Sequence, residues 1–580
     1  MSTEIRRRPP AADTQLPAEL HPVLRRVYAS RGVDSASLDL SLKNMIPVSE
    51  LGGIDVAVER LLAAHAMQER VLILGDYDSD GATATALMMT CLKGFGFERV
   101  GYMVPDRFKF GYGLSPAIVD FARDTEEELP DVIVTVDNGI ASIDGVARAN
   151  ELGIDVVVTD HHLPGEELPD AIAIVNPNAP GDTFPSKWLS GVGVAFYTMA
   201  ALGQALAGDG AVDAAEARRI AAGCLDLVAI GTVADLVQLD YNNRVLVEQG
   251  LQRIRQGRSR PGVEALFAAG NRDHRKAVAS DLGFAIGPRL NAAGRLDDMR
   301  KGIDCLLAAD AATAKPMAVE LNEINKKRRE LQSQMQEDAD LLLDRLDEKL
   351  AGEKHWGYSL FDVSWHQGVV GLVATKMRDR TRRPSVAFAP AEEGSAELKG
   401  SGRSVKGVHL RDVLAAVDAK HPHLIDKFGG HAMAAGLSIQ HDKLEQFIAA
   451  FDEEVAVHAD EISDIGILES DGELQESDLS MRLADALRSA GPWGQAFPEP
   501  LFDNRFRVVD KRVVGGSHLK LTLQADGSTR TIDAIAFNRD ELPRMEGGDS
   551  DGLYTFAYRL DVNEFRGRRT AQLIVEHIST

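Results

Sequence analysis

Val71-Leu-Ile-Leu-Gly-Asp76-Tyr-Asp78-Ser-Asp80-Gly81 sets a short apolar run directly against three alternating carboxylates. An unbroken apolar run of this length is the form of a strand buried on both faces, as in a parallel sheet. The pattern returns twice. Asp131-Val-Ile-Val-Thr-Val136 breaks into Asp137-Asn138-Gly139, and Val156-Val-Val-Thr159 breaks into Asp160-His161-His162. Open α/β sheets keep their ligands at the ends of such strands. Carboxylates with one or two imidazoles are hard donors suited to Mg²⁺ or Mn²⁺. The stretch therefore predicts a metal-dependent phosphoesterase.

Working outward, strand-like runs at 71–75, 99–104, 131–136, 155–159 and 172–175 alternate with helical segments such as Ala82–Leu92 and Ile140–Leu152. That alternation predicts a doubly wound parallel sheet. Ile54–Ala66 has helical spacing and is expected beside the first strand. Residues 1–50 read as a polar lead-in with weak helical character from His21 to Ser30. Ala195–Leu206, Ala211–Ala229 and Asn243–Ile254 predict helices that close the domain, and Ile230-Gly-Thr-Val-Ala-Asp235 leaves a carboxylate where an apolar helix gives out. A buried Asp with no basic residue nearby in sequence needs a donor or a cation.

Ala311–Leu350 reads as one long charged helix with a single apolar stripe. A smaller α/β unit follows, with strands expected at Trp356–Val363 and Ser385–Phe388. The C-terminal part, with short alternating runs at Phe506–Val509, Leu519–Leu523, Thr531–Phe537 and Leu573–Val575, suits a small antiparallel barrel. The expected division is a lead-in at 1–50, a parallel-sheet domain at 51–310, a connecting helix at 311–350, a second α/β domain at 351–460 and a barrel at 461–580.

Composition narrows the function. The chain has 580 residues, too many for one core. Its net charge of −24 argues against a generic nucleic-acid coat, although Lys326-Lys-Arg-Arg329, Arg403-Ser-Val-Lys406 and Arg566-Gly-Arg-Arg569 are local basic clusters. Cys91, Cys224 and Cys305 are too far apart for a disulfide framework or a Cys-based zinc site. No uninterrupted apolar run approaches membrane-spanning length, and a cytoplasmic protein with no membrane partner is expected. Ser190-Gly-Val-Gly-Val194 lacks the order of a nucleophile elbow, and no phosphate-binding Gly-x-x-x-x-Gly-Lys motif occurs.

Asp-Ser-Asp-Gly by itself is good turn and helix-cap chemistry. Repetition at three strand ends is what points to cations, because like charges so close repel unless neutralised. Two ions about 3.5–4 Å apart need a bridging carboxylate. Asp137 is the bridge candidate. Asp78 completes one site with it, and Asp80, His161 and Asp235 complete the other, with His162 orienting a ligand or touching phosphate. Arg289-Leu-Asn291-Ala-Ala-Gly294-Arg295 packs two guanidiniums and an amide around small residues, a good phosphate cradle.

Gly75-Asp-Tyr-Asp-Ser-Asp-Gly81, Asp160-His161-His162 and Phe428-Gly-Gly-His431-Ala-Met-Ala-Ala-Gly436 together resemble the DHH/DHHA1 phosphoesterases, and the layout from about Leu40 onward is similar to the family's single-strand exonucleases. The resemblance implies a DHH domain, a DHHA1 domain and an OB-fold barrel. It further implies 5′-to-3′ hydrolysis of single-stranded DNA with two Mn²⁺ or Mg²⁺ ions, releasing 5′-mononucleotides. A monomer working in repair and recombination beside single-strand-binding protein and helicases is expected. Where the pyrophosphatase branch has a metal-binding His, this sequence has Leu74, and Asp76 takes over part of that role. Arg289, Asn291 and Arg295 are implied to face the scissile phosphate, Arg107 with Ser401 and Arg403 to form a 5′-phosphate pocket, and Gly429, Gly430, His431 and His366 to line the substrate path. The Phe428–His431 turn is expected to precede a small-residue helix. Two rivals are a short-oligonucleotide or cyclic-dinucleotide phosphodiesterase and a binding module that has lost catalysis.

Overall fold

The computed structural model describes residues 3–9, 11, 16–106, 110, 112–125, 128–350, 355–365, 367–392, 394–430, 432–462, 466–543, 553–565 and 567–580. The chain forms two compact units, one built mainly from Lys327–Leu468 and the other from Ile5–Lys326 with Glu469–Thr580.

The larger unit contains five parallel strands, β1 (Val71–Gly75), β2 (Val100–Met103), β3 (Val132–Val136), β4 (Asp155–Thr159) and β5 (Ala173–Val175), in the spatial order β2-β1-β3-β4-β5. Every residue of β1 and β3 is buried. That is why both read as apolar runs, interrupted only by Thr135 in β3. The order reverses direction between β1 and β3, and such a switch point opens a crevice at the carboxyl ends of the two strands. Register aligns Gly75 with Val136 and Val136 with Thr159, so β1, β3 and β4 end level. Their next residues, Asp76, Asp137 and Asp160, share one sheet edge.

Helices cover the sheet. Helix α1 (Ser79–Gly94) follows β1, and its buried face extends nearly all round because α2 (Gly191–Gly208) and α3 (Leu225–Ala234) pack on it. Helix α2 is long and apolar enough to cross a membrane, but most of it is buried in the core. Ala211–Ala229, expected as one helix, is two. Ala214–Ala222 ends at Gly223, and α3 starts after Cys224, so the chain turns between an amphipathic surface helix and a buried one. Helix α4 (Gly287–Leu296) follows a π-helical turn, Leu282–Ile286.

The segment 16–50 belongs to this core. Helix Pro22–Ser30 buries Val23, Leu24, Val27 and Tyr28, the Tyr28 hydroxyl donates to the Ala490 carbonyl, and Arg31 pairs with Asp471 at 2.6 Å. Five strands close the C-terminal barrel, in the neighbour order Phe502–Val514, His518–Ala525, Thr531–Ala536, Arg568–Ser579 and Leu553–Phe565. A ring of fully buried aromatics, Phe502, Phe506, Phe556 and Tyr558, fills it.

The smaller unit is a five-stranded mixed sheet with Tyr358–Phe361, Ser385–Pro390, Glu397–Arg403, Ala434–Gln440 and Lys427–Gly430 as successive neighbours. The segment after Phe428-Gly-Gly is therefore a strand, not the expected helix. Ala434–Gln440 pairs along its length with Glu397–Arg403, and its small residues fit between two strands where a helix would have no room. Ala311–Leu350 is one helix, as expected.

Candidate metal and phosphate site

Asp78 caps α1, its Oδ1 accepting the N–H groups of Asp80 and Gly81 at 2.9 and 3.0 Å. The cap turns the chain so that Asp76, Asp78 and Asp80 all face the crevice rather than alternating outward. Asn291 of α4 fixes the same turn by accepting the Ser79 N–H at 2.7 Å and its hydroxyl at 2.8 Å. A Cβ at Gly294 would lie 1.9 Å from the Tyr77 carbonyl oxygen, so α4 can approach this loop only with glycine there.

Asp80 is buried and accepts the N–H groups of Gly191 and Val192 at 2.7 and 2.9 Å. It is thus seated on the positive end of α2. Even so, burial and the neighbouring Asp78 push its pKa up to about 7. Asp235 caps the end of α3, and burial with Asp80 and Asp78 nearby pushes it up to about 8. Burial and the four other acidic neighbours raise Asp137 well above the carboxylate range.

Asp137 has φ +63 and Leu236, immediately after Asp235, has φ +61. Left-handed backbone is uncommon for such residues and recurs where function demands it. Tyr112 donates its hydroxyl to the Asp137 carbonyl at 3.0 Å and lies 3.2 Å from His162 Nδ1. Asn138 ties the strand ends together, donating to the carbonyls of Leu74 and Val136.

The two histidines differ in charge. Burial and the adjacent His162 lower His161 to about 4, so it is neutral at pH 7. His162 is also opposed by burial, but its bond to Asp160 at 2.8 Å raises it to about 9. Asp160 in turn, although burial works against it, is held below the usual range by His162 and by the N–H groups of Ile140 and His162. Asn176 and Asn178 donate to the carbonyls of His162 and His161.

His161 Nε2 lies 3.1 Å from Asp137 Oδ1 and 3.6 Å from Asp235 Oδ2. Yet Nε2 and Oδ1 are both buried with no hydrogen-bond partner. Buried polar atoms are rarely left so, and a neutral imidazole facing carboxylates across that gap fits a shared cation. Ligand atoms of Asp76, Asp78 and Asp137 converge within 4.8 Å, as do those of Asp80, His161 and Asp235 and those of Asp137, His161 and His162. The donor set is hard oxygen with one or two imidazole nitrogens, which suits Mn²⁺ or Mg²⁺.

The phosphate candidates are placed as follows. Arg289 is buried, donating to Asn322 Oδ1 and to the carbonyls of Ala285 and Ala269, and Arg295 is exposed at the other end of α4. In the smaller unit Arg403 donates to the Ser401 hydroxyl at 3.0 Å, under Gly371 of helix Gln367–Thr381. Gly429 pairs with Gly436 and Gly436 with Ser401, giving a strip of small residues across the sheet. Arg107, His366 and His431 lie outside the described residues. Sequence reasoning missed Tyr112, Asn138, Asn176, Asn178 and Gly191. The only local signals were Asn138 directly after Asp137 and the Asn176-Pro177-Asn178 turn following β5.

Three family models match separate stretches of the chain. Residues 70–232 match the DHH family N-terminal domain, residues 354–457 the DHHA1 domain and residues 470–577 the RecJ OB domain. The chain is 50% identical over 583 residues to the single-stranded-DNA-specific exonuclease RecJ of Salmonella typhimurium, covering 99% of both chains. It also resembles the crystal structures of RecJ from Thermus thermophilus in complex with Mn²⁺ and with Mg²⁺. The first has a TM-score of 0.76 and 26% identity, covering 99% of this chain and 80% of that one. The second has a TM-score of 0.71 and 25% identity, covering 99% and 78%.

Proposed function

The chain belongs to the RecJ family of single-stranded-DNA-specific exonucleases, and from that premise we propose that it degrades single-stranded DNA from the 5′ end, releasing 5′-mononucleotides by a two-metal hydrolysis. One observation carries the metal part of the reading. Asp137 Oδ1 and His161 Nε2 face each other, buried and without hydrogen-bond partners, amid four further carboxylates.

Asp76, Asp78 and Asp137 would hold one Mn²⁺ or Mg²⁺, and Asp137, Asp80, His161 and Asp235 the other. Such ions, when bound, activate water and stabilise charge on a phosphoryl group. The chain's own groups do the rest. His161, neutral at pH 7, presents a bare Nε2 lone pair. His162, kept cationic by Asp160, donates to a phosphate oxygen and gains strength as negative charge grows there. Tyr112 orients both His162 and the Asp137 backbone. Arg295 reaches the scissile phosphate, while Arg289 and Asn291 set the helix that carries it. Arg403 and Ser401 grip the 5′-phosphate as a guanidinium fork and a hydroxyl, and Gly429, Gly430, His431 and His366 line the strand's path. The barrel holds the downstream strand by stacking and backbone contacts. The setting proposed is a cytoplasmic monomer in repair and recombination, with single-strand-binding protein and helicases as partners. The division at 50, 310, 350 and 460 belongs to the same reading.

The test is a 5′-phosphorylated single-stranded oligonucleotide, labelled at either end, incubated with the protein and Mn²⁺. Mononucleotides appearing first from the 5′ label, with duplex untouched and chelator abolishing release, support the reading. Cleavage from the 3′ label or at internal sites sinks it.

A further inference from the structure

Far from the carboxylate cluster, Cys91 and Cys224 bring their sulfur atoms to 3.7 Å, both side chains fully buried. Cys91 lies in the last turn of α1 and Cys224 immediately before the first residue of α3. Arg260 closes the third side. Its Nη2 donates to Cys224 Sγ at 3.1 Å, and its Nη1 donates to Asp226 Oδ1 at 2.8 Å and to the Gly223 carbonyl at 3.1 Å. The guanidinium thus both pairs with the buried Asp226 and places a cation on sulfur, where it favours the thiolate. A cavity of about 440 Å³, lined in part by Thr90, Gly94, Gly223 and Arg260, reaches the guanidinium from the surface.

From this geometry we propose that Cys91 and Cys224 are a peroxide-oxidisable dithiol pair, with Cys224 the attacking sulfur, Arg260 its positioning residue and Cys91 the resolving thiol. The charges act in the same sense. Cys224 is lowered to about 7, chiefly by the bond to Cys91, against burial and the opposing Asp226 and with Arg260 assisting, while Cys91 is raised. Cys224 also sits at a helix N-terminus, where thiolates are favoured.

The oxidant is a hydroperoxide small enough for the cavity. The Cys224 thiolate attacks one peroxide oxygen, an S–O bond forms and the O–O bond breaks, and the departing oxygen leaves as water after taking a proton. Cys91 then attacks the sulfenic sulfur. An S–S bond forms, the S–O bond breaks, and hydroxide leaves with the Cys91 proton as a second water. Two thiols and one hydrogen peroxide give one disulfide and two waters. Closure to about 2.05 Å requires the sulfurs to approach by less than two ångströms. The product staples α1 to α3 at the ends remote from Asp80 and Asp235, each about three helical turns away along its own helix.

The experiment treats the full-length chain at pH 8, freed of reductant, with a small molar excess of hydrogen peroxide. Remaining thiols are then alkylated and the peptides mapped. A Cys91–Cys224 linked peptide that dithiothreitol reverses, with Cys305 recovered alkylated, is the expected result. Recovery of Cys91 and Cys224 as alkylated thiols, or oxidation of Cys305 as fast as Cys224, overturns the proposal. Arg260→Gln should slow bond formation about tenfold and Arg260→Lys should restore most of it. An unchanged rate in folded Arg260→Gln overturns the assignment to Arg260. Should that variant not fold, the native chain's rate against pH carries the same test, since an inflection at or above the ordinary thiol value of about 8.5 overturns it.

Discussion

The carboxylate of Asp80 accepts the N–H of Gly191 at 2.7 Å, and a Cβ on Gly191 would lie 2.5 Å from Asp137 Oδ1. The N-terminus of α2 therefore sets the spacing between a carboxylate in the first turn of α1 and one at the end of β3. Nothing in either local sequence records that arrangement.

Gly191→Ala should cost more than an ordinary core substitution. The methyl group must displace Asp137 or lift α2 off Asp80, and overpacking of this sort costs about 1–3 kcal/mol. We expect turnover at least ~100-fold down, on the scale of a misplaced catalytic constellation, and a weaker Mn²⁺ isotherm by titration calorimetry. Native turnover in this variant would show that the helix terminus does not hold the site.

Asp137→Asn should separate catalysis from stability. It removes a buried carboxyl surrounded by four others, so the metal-free variant should be more stable than the parent by about 1 kcal/mol or more. Nuclease activity should fall by at least ~1,000-fold, and added Mn²⁺ should no longer raise the melting temperature. A variant that is both active and Mn²⁺-stabilised would remove Asp137 from the ligand set.

Metal-free protein should lose stability as pH rises. Asp80 and Asp235 titrate at about 7 and about 8 in the fold but near 4 in the unfolded chain, so folding takes up protons between those values. Their contribution is complete below about pH 4 and gone once pH passes 8. Thermal melts in chelator from pH 5.5 to 8.5 should show a falling midpoint, and Mn²⁺ should restore most at the alkaline end, where it replaces the lost protons. A flat or rising chelator profile would contradict this.

Asp160→Asn should bring His162 down from about 9 toward its ordinary value of about 6.5, since Asp160 opposes the effect of burial most strongly, with Asp235 and Asp76 adding to it. The variant should lose activity at pH 8 by about 10- to 100-fold and recover part of it at lower pH, where the imidazole recharges. The His162 proton resonance followed through a pH titration reports the shift directly. A resonance still titrating near 9 would detach His162 from Asp160.

Much of this was legible from short apolar runs. β1, β3 and the body of β4 are buried on both faces, so their interiors are apolar but for Thr135, and the first charged side chains past their ends mark the site. The helix break at Gly223-Cys224 was hidden because an Ala-rich helix runs into an apolar one with no Pro between them, and the strand Ala434–Gln440 because small residues suit a tight sheet as well as a helix. Tyr112 had no signal at all. Its value comes from lying over His162 and under the Asp137 carbonyl, neighbours 50 and 25 residues away.

The linear chain determined what is local in cause: the periods that choose strand or helix, the carboxylates and imidazoles at strand ends, and the family those motifs spell. The folded chain alone decided which side chains share a space. It set Asp137 against His161 without a hydrogen bond, seated Asp80 on α2, left one of two adjacent histidines neutral and the other cationic, and closed Cys91 on Cys224 under Arg260. Periodicity is a property of neighbours along the backbone. Burial, charge coupling and sulfur-to-sulfur distance depend on neighbours across it, which packing selects and spacing does not encode.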